Sequence, residues 1–219
     1  AVGHSKVEFI DTIDPRVISD FKASLDDISE SYFIFISKSG KTIEVLMLYD
    51  WLKKIGMQSN ALLITQLNNN PLHERGIANQ NTLFEHDSNI GGRYSYLSIV
   101  GILVASLCGL DIKSIFEGAQ HQINVFNENH VQTAKYCALA GSHPQHSPYA
   151  SVVSLVYNDA LLPYQQWFKQ LWAESLGKQN AGLTPIIASG TRDQHSQLQL
   201  YLEGPNDKIY TIIKTKHFN

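Results

Sequence analysis

Tyr32-Phe33-Ile34-Phe35-Ile36-Ser37-Lys38-Ser39-Gly40-Lys41-Thr42 decides the fold: an aromatic and β-branched run passes directly into a short Ser/Gly turn, and a helical pattern leaves from its far side. A strand-turn-helix junction of this kind points backbone N–H groups and the positive end of the helix dipole at one spot. The hydroxyls of Ser37, Ser39 and Thr42 surround that spot, and a phosphate-sized anion fits the residue types. A nucleotide-binding P-loop needs a glycine five residues ahead of Gly40-Lys41-Thr42. That position is Phe35, inside the strand, so the turn is too short for a triphosphate and suits one terminal phosphate group. The competing reading is a Ser/Gly turn that does no more than cap a helix.

Outward from the turn, strands and helices alternate. Residues 7–13 read as a strand, and Asp14-Pro15 supplies an N-cap and a first-turn proline for a helix with Val17, Ile18, Phe21 and Leu25 on its apolar face. The helix after the turn runs from about Thr42 to Ile55, is expected to bury Ile43, Leu46, Met47 and Trp51, and is stopped by Gly56. Residues 61–65 form the next strand, 68–71 a loop and 82–85 a short strand. Helix dominates from Ser95 to about Tyr136, with breaks near 109–111 and 127–129, and 141–148 is a loop. A second strand-helix-strand series follows: a strand at 151–157, a helix at 161–176 with Trp167, Phe168, Leu171 and Trp172 inward, a strand at 185–188, a helix from about Asp193 to Leu202, and a strand at 208–213. This order predicts an α/β protein whose parallel sheets are covered by helices. Residues 1–140 form most of a first domain with its following helices, and 150–219 begin a second.

Composition narrows the function. With 43% hydrophobic residues in 219 the chain can build a packed core, and a net charge of −3 with no basic run beyond Lys53-Lys54 argues against nucleic acid and acidic membranes. The uncharged stretch 94–110 is about three residues short of the ~20 that span a bilayer and contains three serines and two glycines, so it reads as a buried helix. Cys108 and Cys137 have neither metal-ligand spacing nor disulfide density, which points to a reducing cytoplasm. His143 and His146 have prolines beside them in a loop and no acidic or cysteine partner nearby, so no metal site is expected. No dinucleotide signature is present, and no cofactor is expected.

Four separated segments carry a family resemblance: SKSGKTIE at 37–44, SNIGGRYSYLS at 88–98, AESLGK at 173–178 and TRDQHSQLQLYLEGP at 191–205. In order and rough spacing they resemble the phosphoglucose isomerase family in its shorter bacterial form, and the likeness extends through 10–15 and Asn70-Pro71-Leu72. The resemblance implies two sugar-isomerase domains, each a flavodoxin-like α/β sandwich, and a reversible conversion of glucose 6-phosphate and fructose 6-phosphate through a cis-enediol. It also implies that this chain matches the family's central half, with a glycine-rich phosphate segment expected ahead of Ala1 and a lysine-bearing helix beyond Asn219.

By the same resemblance Ser37, Ser39 and Thr42 grip the sugar's phosphate, and Lys38 lends charge. Lys41 departs from the small hydroxyl residue common at its place, which alters the electrostatics of the turn. Glu174 stands where the family has its base, at the end of an aromatic-rich helix where partial burial would raise a carboxyl toward the working pH. Arg93 follows Gly91-Gly92, where two glycines let the backbone approach a ligand and a guanidinium can stabilise an enediolate oxygen, with Gly92 beside the substrate. His195 corresponds to the histidine that assists ring opening and comes from the neighbouring subunit, so a homodimer is implied. Three other readings stand beside this one: a phosphosugar-binding fragment without turnover, an isomerase that also accepts mannose 6-phosphate, and an interaction partner that completes its sheet with another polypeptide.

Overall fold

The computed structural model describes residues 7–25, 27–140 and 148–215, and the chain divides into two compact units, Ala1–Phe116 and Glu117–Asn219. The first unit opens with α1 (Pro15–Ser24), capped by Asp14, whose carboxylate accepts from the N–H groups of Arg16 and Val17. Then come β1 (Phe33–Ile36), α2 (Ile43–Ile55), β2 (Ala61–Thr65), α3 (Pro71–Ala78) and β3 (Thr82–Glu85). The strands pair in parallel in the order β1-β2-β3, with Phe35 opposite Leu63 and Leu63 opposite Leu83. Right-handed crossovers that step the same way put α2 and α3 on one face. There they are tied side by side: the Arg75 guanidinium grips both oxygens of Asp50 at 2.7 Å, and the Tyr49 hydroxyl donates to Asn81 Oδ1 at 2.5 Å. Every residue of β2 is buried, as a central strand of a parallel sheet requires. Phe33, Phe35, Tyr49, Leu52, Met57, Leu63 and Leu72 make the core, with the Phe35 and Tyr49 rings edge to face at 5.0 Å.

The Asp50 carboxyl is held below its usual range, first by the Arg75 hydrogen bond. An unfolded Asp titrates near 3.9, so this pairing is stabilising above about pH 4 and is lost as pH falls through the lower folded value. Because Asp50 is exposed and Arg75 only half-buried, solvent screens the pair and the term is under about 1 kcal/mol. Asp50→Asn is therefore expected to lower stability at pH 7 slightly and to converge with the unsubstituted chain below pH 3 in acid-unfolding curves.

Several expectations are corrected. Residues 7–13 form no strand, and Phe9 is 69% exposed: the unit's sheet begins at β1, and this stretch pairs with neither of its edges. α2 buries Tyr49 and Leu52, and Leu46 and Trp51 pack against the same core as expected, whereas Ile43 is 60% and Met47 52% exposed. The helix is apolar nearly all round, and the tie of Tyr49 to Asn81 fixes a phase that the pattern leaves open. Its end is as expected, with Gly56 at φ 122° donating to the carbonyls of Leu52 and Lys53. α3 is hidden behind the Asn70-Pro71 loop signal, which is its own N-cap and first residue. The uncharged stretch is not a buried helix but a 3-10 turn (Gly92–Leu97) leading into α4 (Ile99–Leu107), where only Ser95 and Ala105 are buried. A long helix, α5 (Ile112–Ala140), follows and is kinked at Asn129, within the predicted break.

The second unit carries β4 (Ser151–Val156), a 3-10 turn (Asp159–Leu161), α6 (Leu162–Leu176), β5 (Thr184–Ser189), α7 (Gly190–Ser196), α8 (Leu198–Glu203) and β6 (Lys208–Ile213). The parallel order is β5-β4-β6, so the path reverses about β4 and right-handed crossovers put α6 and the α7-α8 pair on opposite faces. Val152, Trp172 and Leu183 form its core cluster, with the Trp172 indole N–H donating to the Leu183 carbonyl at 2.9 Å. The single helix expected over 193–202 is two helices broken at Gln197, whose φ of −127° leaves the helical region. The molecule is thus an α/β protein of parallel sheets flanked by helices. Among the described residues no helix is long and apolar enough to cross a membrane.

Candidate active site

In the first unit the predicted phosphate turn is built on the C-terminal end of β1. Ser37 stays in the sheet through its N–H to the Ile64 carbonyl (3.0 Å), and Gly40 N–H returns to the Ser37 carbonyl (3.1 Å), closing the turn. The Ser37 and Thr42 hydroxyls meet across it at 2.8 Å, and Lys41 N–H donates to Ser39 Oγ at 3.2 Å. Thr42 is the N-cap residue of α2 but makes no side-chain capping bond, so the hydroxyl lies over the turn instead of on the helix's first N–H groups. Those donors belong to a 13-residue helix and keep the dipole's positive end directed at the turn. Ser37 is buried, whereas Ser39, Lys41 and Thr42 are exposed, giving one walled side and one open side.

The turn rests on a buttress that the sequence pattern does not disclose. Gly40 has φ 61°, and a Cβ there would lie 1.6 Å from Asn70 Oδ1. Asn70 is buried: its oxygen accepts from Leu72 N–H and His73 N–H, and its amide donates to the Gln66 carbonyl at 2.7 Å and to Asn68 Oδ1 at 2.9 Å. Leu72 N–H also reaches the Gly40 carbonyl at 3.1 Å. The N-terminus of α3 therefore holds the turn from behind.

The Lys38 ammonium is directed into the loop after β3, where it donates to the carbonyls of Ser88 and Ile90, both at 2.8 Å. That loop is shaped by Asp87, whose carboxylate accepts from Asn89 N–H at 2.7 Å, and by the buried His86, whose Nδ1–H donates to the Asp87 carbonyl at 3.0 Å. It runs straight into Gly91, Gly92 and Arg93. The half-buried Arg93 guanidinium lies 4.8 Å from the centre of the Tyr94 ring, and the Gly92 carbonyl accepts from Ser95 Oγ at 2.6 Å. Ser37, Lys38, Ser39, Thr42, Gly92 and Arg93 are thus all carried at or just beyond the C-terminal edge of one sheet, the edge at which parallel α/β sheets bind ligands.

Glu174 and His195 belong to the second unit. Glu174 lies near the end of α6 on its exposed side, which corrects the expected partial burial: Phe168 and Trp172, rings 5.6 Å apart, face the core cluster, and Glu174 is two residues beyond Trp172. The Gln170 amide, one helical turn earlier, approaches Glu174 Oε2 at 3.4 Å, an i, i+4 partner not singled out from the sequence. His195 is exposed on α7, directly after β5. The start of that helix is fixed by Asp193, which accepts from Ser189 N–H at 2.6 Å and Ser196 Oγ at 2.9 Å; the Ser196 and Ser189 bonds hold its carboxyl below the usual range. Gln194 donates to the Tyr157 hydroxyl at the end of β4. Among the described residues no group of three or more His, Cys, Asp and Glu is arranged to hold a metal ion; His143 and His146 lie outside those residues.

The fold sets the class: a two-unit parallel α/β protein with an anion-sized turn at a strand end. Residues 1–207 match the family model for phosphoglucose isomerase, and the chain belongs to that family. It is 35% identical to a glucose-6-phosphate isomerase of Rubrobacter xylanophilus over 98% of its length and 52% of the relative's. It is 38% identical to one of Campylobacter jejuni over 90% of its length and 50% of the relative's. The crystal structure of a hypothetical protein from Thermus thermophilus superposes with a TM-score of 0.80 at 29% identity, covering 94% of this chain and 52% of that one. The chain spans about half the length of the curated relatives it matches.

Proposed function

We propose that this chain acts as a glucose-6-phosphate isomerase, interconverting glucose 6-phosphate and fructose 6-phosphate. The observation that carries the proposal is the Ser37–Thr42 turn, a hydroxyl-lined site for one phosphate at the start of α2, joined in the same unit to the arginine loop. Ser37, Ser39, Thr42 and the turn's N–H groups bind the phosphate, with Lys38 adding positive charge. His195 assists ring opening, supplied by the second subunit of a homodimer. Glu174 then removes the C2 proton of the open-chain aldose; the C–H electrons form the C1=C2 bond, and the carbonyl π electrons move onto O1. Arg93 stabilises the negative charge that develops there, with Gly92 letting the backbone come close. The proton on O2 passes to O1, the O2 electrons form the C2 carbonyl, and the C1=C2 pair takes back at C1 the proton held by Glu174, giving the ketose. The two units correspond to two sugar-isomerase domains. The sparse cysteines favour a cytoplasmic setting.

The phosphate assignment is tested by calorimetric titration with fructose 6-phosphate beside fructose. Thr42→Ala is expected to weaken binding of the phosphosugar about 10- to 100-fold, the effect of one hydrogen bond to a charged group, while fructose binds neither protein measurably. An unchanged affinity would remove the turn from the site. A second reading, phosphosugar binding without turnover, is favoured by one observation: turn and arginine loop are joined within one compact unit that contains neither Glu174 nor His195. Tight binding without conversion would select it. The sequence ESLGK at 174–178 favours glucose 6-phosphate over mannose 6-phosphate, which paired turnover assays compare directly.

A further inference from the structure

Lys38 belongs to the phosphate turn, yet its side chain leaves it. Its Nζ donates to two carbonyls, Ser88 and Ile90, at 2.8 Å each, from a position 50 residues away in sequence. Its own carbonyl accepts from Gln66 N–H at 3.1 Å and from Thr65 Oγ1 at 3.3 Å. One residue at the end of β1 is thus bonded to the end of β2 and to the loop beyond β3. Between the Ile90 carbonyl and Arg93 there are only Gly91 and Gly92, which impose little conformation of their own. The Ile90 carbonyl is therefore the last point fixed by a charged group before the arginine.

Resting on the reading of the turn as the phosphate site, we propose that Lys38 is a positioning residue: its ammonium latches the loop at residues 87–92, so that filling the phosphate turn also sets Arg93. A phosphate on the turn fixes the Lys38 backbone, and through the side chain it fixes the Ser88 and Ile90 carbonyls. The coupling is reciprocal, as any linkage between two sites must be. An ammonium that only neutralised phosphate would point its donors at the ligand, whereas two of its three N–H groups are already committed to the loop.

The test uses the full chain with Lys38→Met and Lys38→Arg, the latter retaining donors for carbonyl oxygens. Amide hydrogen exchange is followed with and without inorganic phosphate. In Lys38→Met, amides at 88–94 are expected to exchange about tenfold faster or more, while those of β1 and β2 are unchanged. Added phosphate is expected to protect the 37–42 turn in both proteins but the 88–94 amides only in the unsubstituted chain. Lys38→Arg should restore most of the protection. For interconversion, Lys38→Met should lower kcat at least about 30-fold with KM changed less than about fivefold. Unchanged exchange at 88–94, or a KM that rises more than kcat falls, would overturn the latch. If the unsubstituted chain shows no phosphate protection at the turn, the phosphate reading has failed, whereas loss of the loop arm alone means that the latch has failed.

Discussion

Glu174→Gln is expected to lower kcat for fructose 6-phosphate conversion by about a thousandfold while KM stays within about threefold. General acid-base transfer by a placed carboxylate contributes roughly 10²- to 10⁴-fold, and the amide keeps the shape and loses only the basicity. The replacement also spares its surroundings. Glu174 lies on the exposed side of α6, away from the Trp172 core, and the Gln170 amide can donate to an amide oxygen as it does to Oε2. A thermal midpoint unchanged within a degree or two accompanies the predicted loss. The coupled assay is read with both proteins purified side by side, so that host isomerase contributes equally to each. A kcat reduced less than tenfold would remove Glu174 from the role of base.

Gly40→Ala is expected to destabilise the first unit by about 2–4 kcal/mol and to abolish phosphate binding at the turn. The two causes reinforce each other. At φ 61° an L side chain is strained in itself, and the added Cβ would fall 1.6 Å from Asn70 Oδ1. Asn70 cannot move aside cheaply, because its oxygen caps α3 and its amide is bonded to the chain at 66–68. For a unit of this size the unfolding midpoint drops by about 10 °C or more. Pairing the substitution with Asn70→Gly should recover part of the loss, since the clash is with that side chain, and the double-mutant cycle should show a favourable coupling. Full additivity would mean that the backbone strain at Gly40, and not the close approach of Asn70, sets the cost.

How far sequence could be read follows from the range of each signal. β2, β3 and β6 begin and end at the expected residues, most plainly β2, because a central strand buried in a parallel sheet needs little beyond an apolar run and flanking polar residues. α1 is legible through Asp14-Pro15, a local cap. The same signal at Asn70-Pro71 introduces α3, but eight residues with two buried positions are too short to show a period. The phase of α2 depends on Tyr49 reaching Asn81, 32 residues away, which no window over 43–55 contains. In the same way the turn's hydroxyls are visible as a string, whereas Asn70 behind Gly40 and the Lys38 bonds to Ser88 and Ile90 arise only when β1, β2 and β3 align. The burial expected of Glu174 misjudges one helical step: Trp172 faces the core and Glu174, two residues on, faces out.

The central claim, that this chain isomerises a sugar phosphate by proton transfer, is met most directly by carbon NMR of 2-¹³C fructose 6-phosphate incubated with the chain in deuterated water. The account predicts that the labelled ketose signal gives way to those of glucose 6-phosphate, with solvent deuterium appearing at C2, and that the Glu174→Gln sample stays unchanged over the same hours. A ketose signal that persists in both samples, or that converts equally in both, would contradict it.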